Sequence, residues 1–454
     1  MNAVQSIEDQ LRRGPRTSAE LAAVAGVSIP TVTRAVSSIP AAFQMGRARA
    51  ARYGLADAVR GMAAQAHPVY RVGHEGEVAH IGTLTAIVGG GFWYENLEAP
   101  TRSREFASIP WFLQDLRPQG FLGRATVRHF AARGWPADLA LWSERDVLAS
   151  ILQSAAHDHI GNLLIGDRAL LAYNNFRHPL HSGLPADDNS RIQRYRDMVL
   201  RMGDDAVAGT SVNGEQPKFC ADVAVPDSNR VRHVLVKFTA PVNTEAGQRW
   251  SDLLVMEARC LDSIRTGLGI PAASAQWLTA SDRAFLEIDR FDRSPAGGRE
   301  GVISFASLDA EFVGLGSNWT RVARQLAADG HLHEGAVRTI EVLEFFAALI
   351  GNSDRHLGNL SVHFGGARPM QLTPIYDFLP MRYAPTSLGM TSDPLTLDDL
   401  PSPENTALDV EDRRRAVNVA RQFWEDCGQD SRISLPMRQV CLQNAGMISR
   451  SAAH

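Results

Sequence analysis

The chain has 454 residues, 44% of them hydrophobic and 21% charged, with a formal net charge of −4. That length exceeds one hydrophobic core and calls for two or three domains, and the composition is ordinary for a globular protein. No apolar run approaches the roughly 20 residues a membrane helix requires. Cys220, Cys260, Cys427 and Cys441 have neither metal-site spacing nor a secreted disulfide pattern, and the start MNAVQSIEDQLRRG lacks the apolar core of a signal peptide. The expected setting is the cytoplasm, without a membrane partner.

Charge is unevenly spread. Residues 1–60 hold eight arginines against four acids, or +4, so the remaining chain carries −8. A small basic head on an acidic body points to nucleic acid at the head alone. Ser6 to Arg13 has helical spacing with Ile7 and Leu11 on one face, and Gly14-Pro15 stops it. Thr17 or Ser18 can cap a second helix, Ala19 to Ala25, with Glu20 in its first turn. Gly26 breaks that helix, and Ser28 can cap a third that runs through Thr31 to about Ile39, with Pro30 near its start. This is a helix-turn-helix pattern. FQMGRARAARYGL then alternates as a hairpin, the wing of a winged helix, with Arg47, Arg49 and Arg52 near its tip. Thr31, Thr33 and Arg34 are the groove-facing candidates and the wing arginines the phosphate contacts; the competing reading is a helical bundle with a solvated basic loop.

Val69 to Trp93 alternates like antiparallel strands. Gly89-Gly90-Gly91 lacks a lysine or a following helix and reads as a hairpin turn rather than a phosphate loop. His157-Asp158-His159 lacks a third metal ligand at suitable spacing. Residues 178–190 form a Pro/Ser/Asp-rich connector, after which Arg191 to Met202 resumes a helix.

Of the 46 basic residues only Lys218 and Lys237 are lysines; the other 44 are arginines. A compact ammonium surviving where arginine serves elsewhere marks both as candidates for phosphate contact, with chance survival as the alternative. Their setting fits. Residues 208–218 are a small-residue loop, followed by the strand FCADVAV, a turn at 227–229 and the strand VRHVLVKF. That order resembles the top of a kinase small lobe, although no GxGxxG is present; backbone N–H groups would hold the phosphates instead. Asp252 to Leu268 reads as a helix. Its Glu257 could pair with the strand lysine or be an exposed helix glutamate. Ala284 to Ile288 is a buried-looking strand that leads into Asp289-Arg290-Phe291, where a kinase hinge would lie.

Gly351 to Phe364 reads GNSDRHLGNLSVHF, and Pro374-Ile375-Tyr376-Asp377-Phe378 follows. An acid, an amide five residues on and a second acid after a hairpin is the kinase pattern of a base and two metal ligands. The same residues also fit a polar loop between helix and hairpin.

Taken together, TSVNGEQPK (210–218), VLVKF (234–238), EIDRFDR (287–293), NSDRHLGN (352–359) and PIYDF (374–378) resemble, in order, the HipA family of bacterial serine/threonine kinase toxins. GTLTAIVGGGFWYENLEA resembles the family's N-terminal β-subdomain, and the extra head resembles the YjjJ-like branch. The resemblance implies an α+β fold: a two-lobed protein-kinase-like body behind an N-terminal winged helix-turn-helix domain. The expected divisions are 1–66 for the winged helix, 67–288 for the small lobe with its β-subdomain, and 289–454 for the mainly helical large lobe. It further implies ATP and Mg²⁺ as cofactors. Asp354 would be the catalytic base, and Asn359 and Asp377 the metal ligands. Lys237 would contact the phosphates, and Asn213, Gly214, Glu215, Gln216, Pro217 and Lys218 would form the nucleotide loop. Asp289, Arg290 and Phe291 would meet the adenine, His356 would support the loop or touch nucleotide, and Ser211 would be the autophosphorylation site. The implied partners are DNA, an antitoxin and an unidentified protein substrate, since the family's substrates include aminoacyl-tRNA synthetases. DRHLGN also resembles the catalytic loop of phosphoinositide kinases, but this acidic body offers no evident membrane-facing surface. The rival class is a DNA-binding regulator with an inactive kinase-like body.

Overall fold

The computed structural model describes residues 2–47, 51–154, 158–176, 183–202, 216–228, 230–294, 296–316, 318–365, 368–386, 389–401 and 408–451. Its contacts group the chain into two compact units: 1–119 with 123–178, and 120–122 with 179–454. The two units divide near 178.

In the first unit, α1 (Ala3–Leu11), α2 (Ser18–Ala25) and α3 (Ile29–Ser37) pack around Ile7, Leu11, Leu21, Val32 and Val36. A three-stranded antiparallel sheet of β1 (Arg16–Thr17), β2 (Ala42–Met45) and β3 (Arg52–Leu55) completes the arrangement of a winged helix. The local code is direct. Thr17 accepts from the Glu20 N–H at 3.2 Å while the Glu20 carboxylate accepts from the Thr17 N–H at 2.7 Å, a capping box. Gly26 ends α2 at φ 64°, a conformation natural to glycine. α1 starts three residues earlier than its periodicity indicates, because Asn2 caps it through Val4 N–H at 3.3 Å.

A five-stranded antiparallel sheet follows: β4 (Ala66–Val72), β5 (Val78–Ala86), β6 (Phe92–Asn96), β7 (Arg104–Phe106) and β8 (Leu163–Ile165), in the order β7-β6-β5-β4-β8. Residues 87–91 close a hairpin turn, with Ile87 N donating to Gly91 O at 3.1 Å. The winged helix is fused to this sheet: Asp57 N donates to Ala86 O at 2.8 Å, Val88 N donates to Leu55 O at 2.9 Å, and Met45, Ile87 and Trp93 share one core. That shared core ties the head, which also has a core of its own, to the sheet within the first unit. Three helices complete the segment: α4 (Gly120–Ala131), α5 (Glu144–Gln153) and α6 (Asp167–Phe176).

The second unit opens with α7 (Asp188–Met202). Its antiparallel sheet runs β11-β12-β10-β9, from β9 (Lys218–Ala224), β10 (Val231–Phe238), β11 (Ala275–Thr279) and β12 (Ala284–Asp289). Alternation sorts its two faces. Val234, Val236, Phe238, Phe219 and Phe285 pack with Tyr195 and Val199 of α7, whereas Leu286 and Ile288 pack with Leu254 of α8 (Glu245–Asp262). Glu287 lies on the α7 face, buried, with ion pairs to Arg191 and Arg232 and a bond from Tyr195 Oη at 2.9 Å. α8 begins at a Thr244 cap, seven residues before the periodicity indicates. Beyond it come β13 (Val302–Ser304), α9 (Trp319–Ala328), α10 (Glu334–Leu349), β14 (Ser361–His363) paired with β13, α11 (Val410–Gln429) and α12 (Leu435–Ser451). Among the described residues no single helix is long and apolar enough to cross a membrane.

Candidate active site

Lys218 and Lys237 are direct cross-strand partners in the β9–β10 pair, so the chain's two lysines leave the sheet on one face. Like charges directly opposite are unfavourable without anions between them. The anions are present. Lys237 is 2% exposed, and its Nζ donates to Glu257 Oε1 and Oε2 at 2.6 and 2.8 Å and to Asp377 Oδ1 at 2.6 Å. Glu257, in the middle of α8, is fully buried. The sequence left it either paired or exposed; the structure pairs it, and the acid-bearing helix after the lysine strand was the signal.

Burial alone would lower the Lys237 ammonium, but Asp377 and then Glu257 outweigh it and hold the group above the ordinary lysine range. For Asp377 burial acts upward, and Lys237 followed by Lys218 overcomes it, keeping the carboxyl well below the usual carboxylate range. Burial raises the Glu257 carboxyl, with Lys237 pulling the other way. One ammonium thus bonds two carboxylates, with Lys218 acting on both from the neighbouring strand.

Asp377 sits at φ 53°, a left-handed backbone that costs a non-glycine residue on the order of 1 kcal/mol. Its neighbours hold it there. Phe378 stacks on Phe346 at 5.9 Å, and the Tyr376 hydroxyl donates to Gly358 O at 2.9 Å and bonds Ser361 Oγ at 2.6 Å. Tyr376 thereby ties the Asp377 segment to the 354–359 loop.

That loop leaves the C-terminus of α10. Asn359 is 5% exposed, and its Nδ2 donates to Asp354 O at 2.9 Å. The bond turns the amide so that Oδ1 is left as an oxygen donor. Asp354 N donates to Asn352 Oδ1 at 3.0 Å, and the Asp354 side chain is 47% exposed. His356 accepts from Gly358 N at 3.1 Å through Nδ1, its Nε2 lies 3.9 Å from Asp354 Oδ1, and its carbonyl accepts from Trp319 Nε1 at 3.0 Å. These contacts brace the loop through His356. Asn359 Oδ1 and Asp377 Oδ2 are hard oxygen donors with no hydrogen bond among the described residues, the donor type Mg²⁺ takes.

At the start of β9, Gln216 Nε2 donates to Phe238 O at 2.5 Å, and Pro217 O accepts from Phe238 N at 3.0 Å, which seats both beside Lys237. Phe291 lies 5.7 Å from the Tyr376 ring. The backbone N–H groups of Asp289 and Arg290 are committed to Ser274 O and His233 O, and their side chains bond Arg232 and Asp292 respectively. Asn213, Gly214, Glu215 and Ser211, like wing residue Arg49, lie outside the described residues.

On α3, Thr33 and Arg34 are exposed and Thr31 half-buried, and Arg47 is exposed at the wing. Arg52 is different: its guanidinium bonds Glu105 at 2.6 Å, so much of its charge is met within the unit.

A lysine strand, a glutamate helix, an Asp–Asn loop and a following Asp held together define a kinase-like HipA fold. The structure matches Shewanella oneidensis MR-1 HipA, solved with HipB and its operator DNA, with TM-score 0.51 over 84% of this chain and 97% of that chain at 13% identity. The model of the HipA-like C-terminal domain matches residues 210–441, and that of the YjjJ-like toxin middle domain matches 63–174. Toxin YjjJ of Escherichia coli (strain K12) is 34% identical over 441 residues, 96% of each chain. The chain belongs to the YjjJ-like toxins of the HipA family.

Proposed function

We propose that this toxin-family chain is an ATP- and Mg²⁺-dependent serine/threonine protein kinase whose activity arrests growth, and that its head binds DNA. The observation that carries the catalytic reading is the buried Lys237 ammonium held between Glu257 and Asp377, with Asn359 Oδ1 making no hydrogen bond among the described residues. When bound, Mg²⁺ would offset the charge that develops on the transferred phosphoryl group. Asn359 Oδ1 and the open carboxylate oxygen of Asp377 would hold it. Lys237, Lys218 and the 213–218 backbone would orient the phosphates, and Asp354 Oδ would take the proton of the attacking hydroxyl. Phe291 and Tyr376 would line the adenine side.

By family resemblance Ser211 is the autophosphorylation site, and a translation-linked protein is the substrate class. An antitoxin partner is inferred on the same ground, as is a cytoplasmic setting. Exposed Thr33, Arg34 and Arg47 are the leading DNA contacts, with Thr31 at the helix edge and Arg49 and Arg52 secondary. The test is γ-phosphoryl transfer and growth arrest by wild type, Asp354→Ala and Asp377→Ala. Loss of both activities in the variants with the fold intact supports the reading. ATP binding with no transfer by wild type would favour a regulator with an inactive body instead.

A further inference from the structure

The helix that carries Glu257 is not free on its outer side. Trp250 through Glu257 are all buried, so α8 is enclosed all round, as an interior helix is. One side packs on the sheet. Away from Glu257, a single turn between α11 and α12 grips the helix at two points, seven residues apart and so on one face. Asp252, 1% exposed, accepts from Ser434 N at 2.8 Å and Ser434 Oγ at 2.6 Å. Arg259 donates through Nε and Nη2 to Asp430 Oδ2 at 3.0 and 2.8 Å. Asp430 is itself fixed by Arg432, whose Nε reaches Oδ1 at 2.9 Å and Nη2 reaches Oδ2 at 2.6 Å. The start of the helix is tied as well, through Arg249 to Tyr383 O at 3.1 Å and Thr391 O at 2.7 Å. Its π-helical continuation Ser263–Leu268 receives Arg415 Nε on Gly267 O at 2.9 Å.

These bonds bracket Glu257, five residues after Asp252 and two before Arg259. A rigid helix held at those points sets both the height and the rotation of Glu257 against Lys237. We infer that the 430–434 turn is a built-in clamp that keeps Glu257 paired with Lys237, with Asp430, Ser434, Asp252 and Arg259 as positioning residues for phosphoryl transfer. The inference rests on the kinase reading. Its consequence is that a C-terminal helical pair supplies within one chain the restraint that keeps the glutamate helix in place, so disturbance of the 430–434 turn is felt at the phosphates.

The experiment uses the full chain carrying Asp430→Ala with Ser434→Ala, studied well below its unfolding midpoint so that the folded fraction is complete. Removing hydrogen bonds to charged groups at the clamp is expected to raise KM for ATP about tenfold. Reactivity of Lys237 toward an amine-selective acylating reagent, read by mass against Lys218 as internal standard, should rise with it, since the chain has only these two lysines. Ser434→Thr, which keeps the hydroxyl, should behave as wild type. In a Glu257→Ala background the double substitution should cost nothing further, because the residue it positions is gone. An equal loss in both backgrounds, or unchanged Lys237 labelling, overturns the clamp. If wild type transfers no phosphate while labelling still responds to the clamp substitutions, the kinase reading falls and the clamp stands.

Discussion

Lys237→Met tests the electrostatic centre of the site most sharply. Methionine fills much of the volume of the lysine stem but leaves Glu257, fully buried, and Asp377 without the ammonium that bonds them both, with Lys218 on the neighbouring strand as the remaining cation. Breaking a buried ion pair from one side costs about 3–5 kcal/mol. Here the cost is reduced wherever one carboxylate can take up a proton, so it depends on pH. In wild type the depressed Asp377 pKa contributes stability that is present above its ordinary value of 3.8 and lost as pH falls through the folded value. In the variant the larger of the two lysine contributions that depress Asp377 is absent, Lys218 alone remains, and burial raises both acids. Stability should therefore recover as pH falls from about 7 toward 5, a window in which Asp377 gives the wild type no slope because its loss comes only below 3.8. Urea unfolding at several pH values measures this, and phosphoryl transfer at pH 7 should fall by at least about tenfold, the worth of one charge-assisted bond to phosphate. A variant as stable as wild type at pH 7, with no gain on acidification, would refute the charge assignment.

Further outcomes concern single groups. Asp354→Asn should lower kcat about 10²–10⁴-fold with the unfolding midpoint nearly unchanged, because its side chain is 47% exposed; stopped turnover assays beside a thermal melt check both. Tyr376→Phe removes the bonds to Gly358 O and Ser361 and should cost about 1–2 kcal/mol in urea unfolding together with a drop in kcat, which steady-state kinetics would reveal. Arg34→Ala with Arg47→Ala should reduce the salt slope of DNA binding by about 2, whereas Arg52→Ala, already met by Glu105, should change it less; fluorescence titration over a salt series decides. Intact-mass measurement after incubation with ATP should show one added phosphate that Ser211→Ala abolishes.

Much of the head was legible because its signals are local. A Thr17–Glu20 capping box, Gly26 at a left-handed cap and alternation around the wing each act within a few residues. The Asp354-to-Asn359 spacing was legible for the same reason, since the amide reaches the carbonyl five residues back. Glu257 was not decided that way. Its burial depends on strands and helices far along the chain, and an isolated helix gives no sign of which face will be covered.

By itself, then, the sequence determined the order of the pieces, the survival of lysine at 218 and 237 and the short-range geometry of the 354–359 loop. Only the tertiary structure set the two lysines opposite one another, joined Lys237 to acids 20 and 140 residues away, and locked α8 against the 430–434 turn. It also fused the winged helix to the neighbouring sheet and gave Arg52 an internal partner 53 residues on. The physical reason is common to all of these. Ion pairing and burial are properties of which surfaces meet, and long-range packing alone decides that.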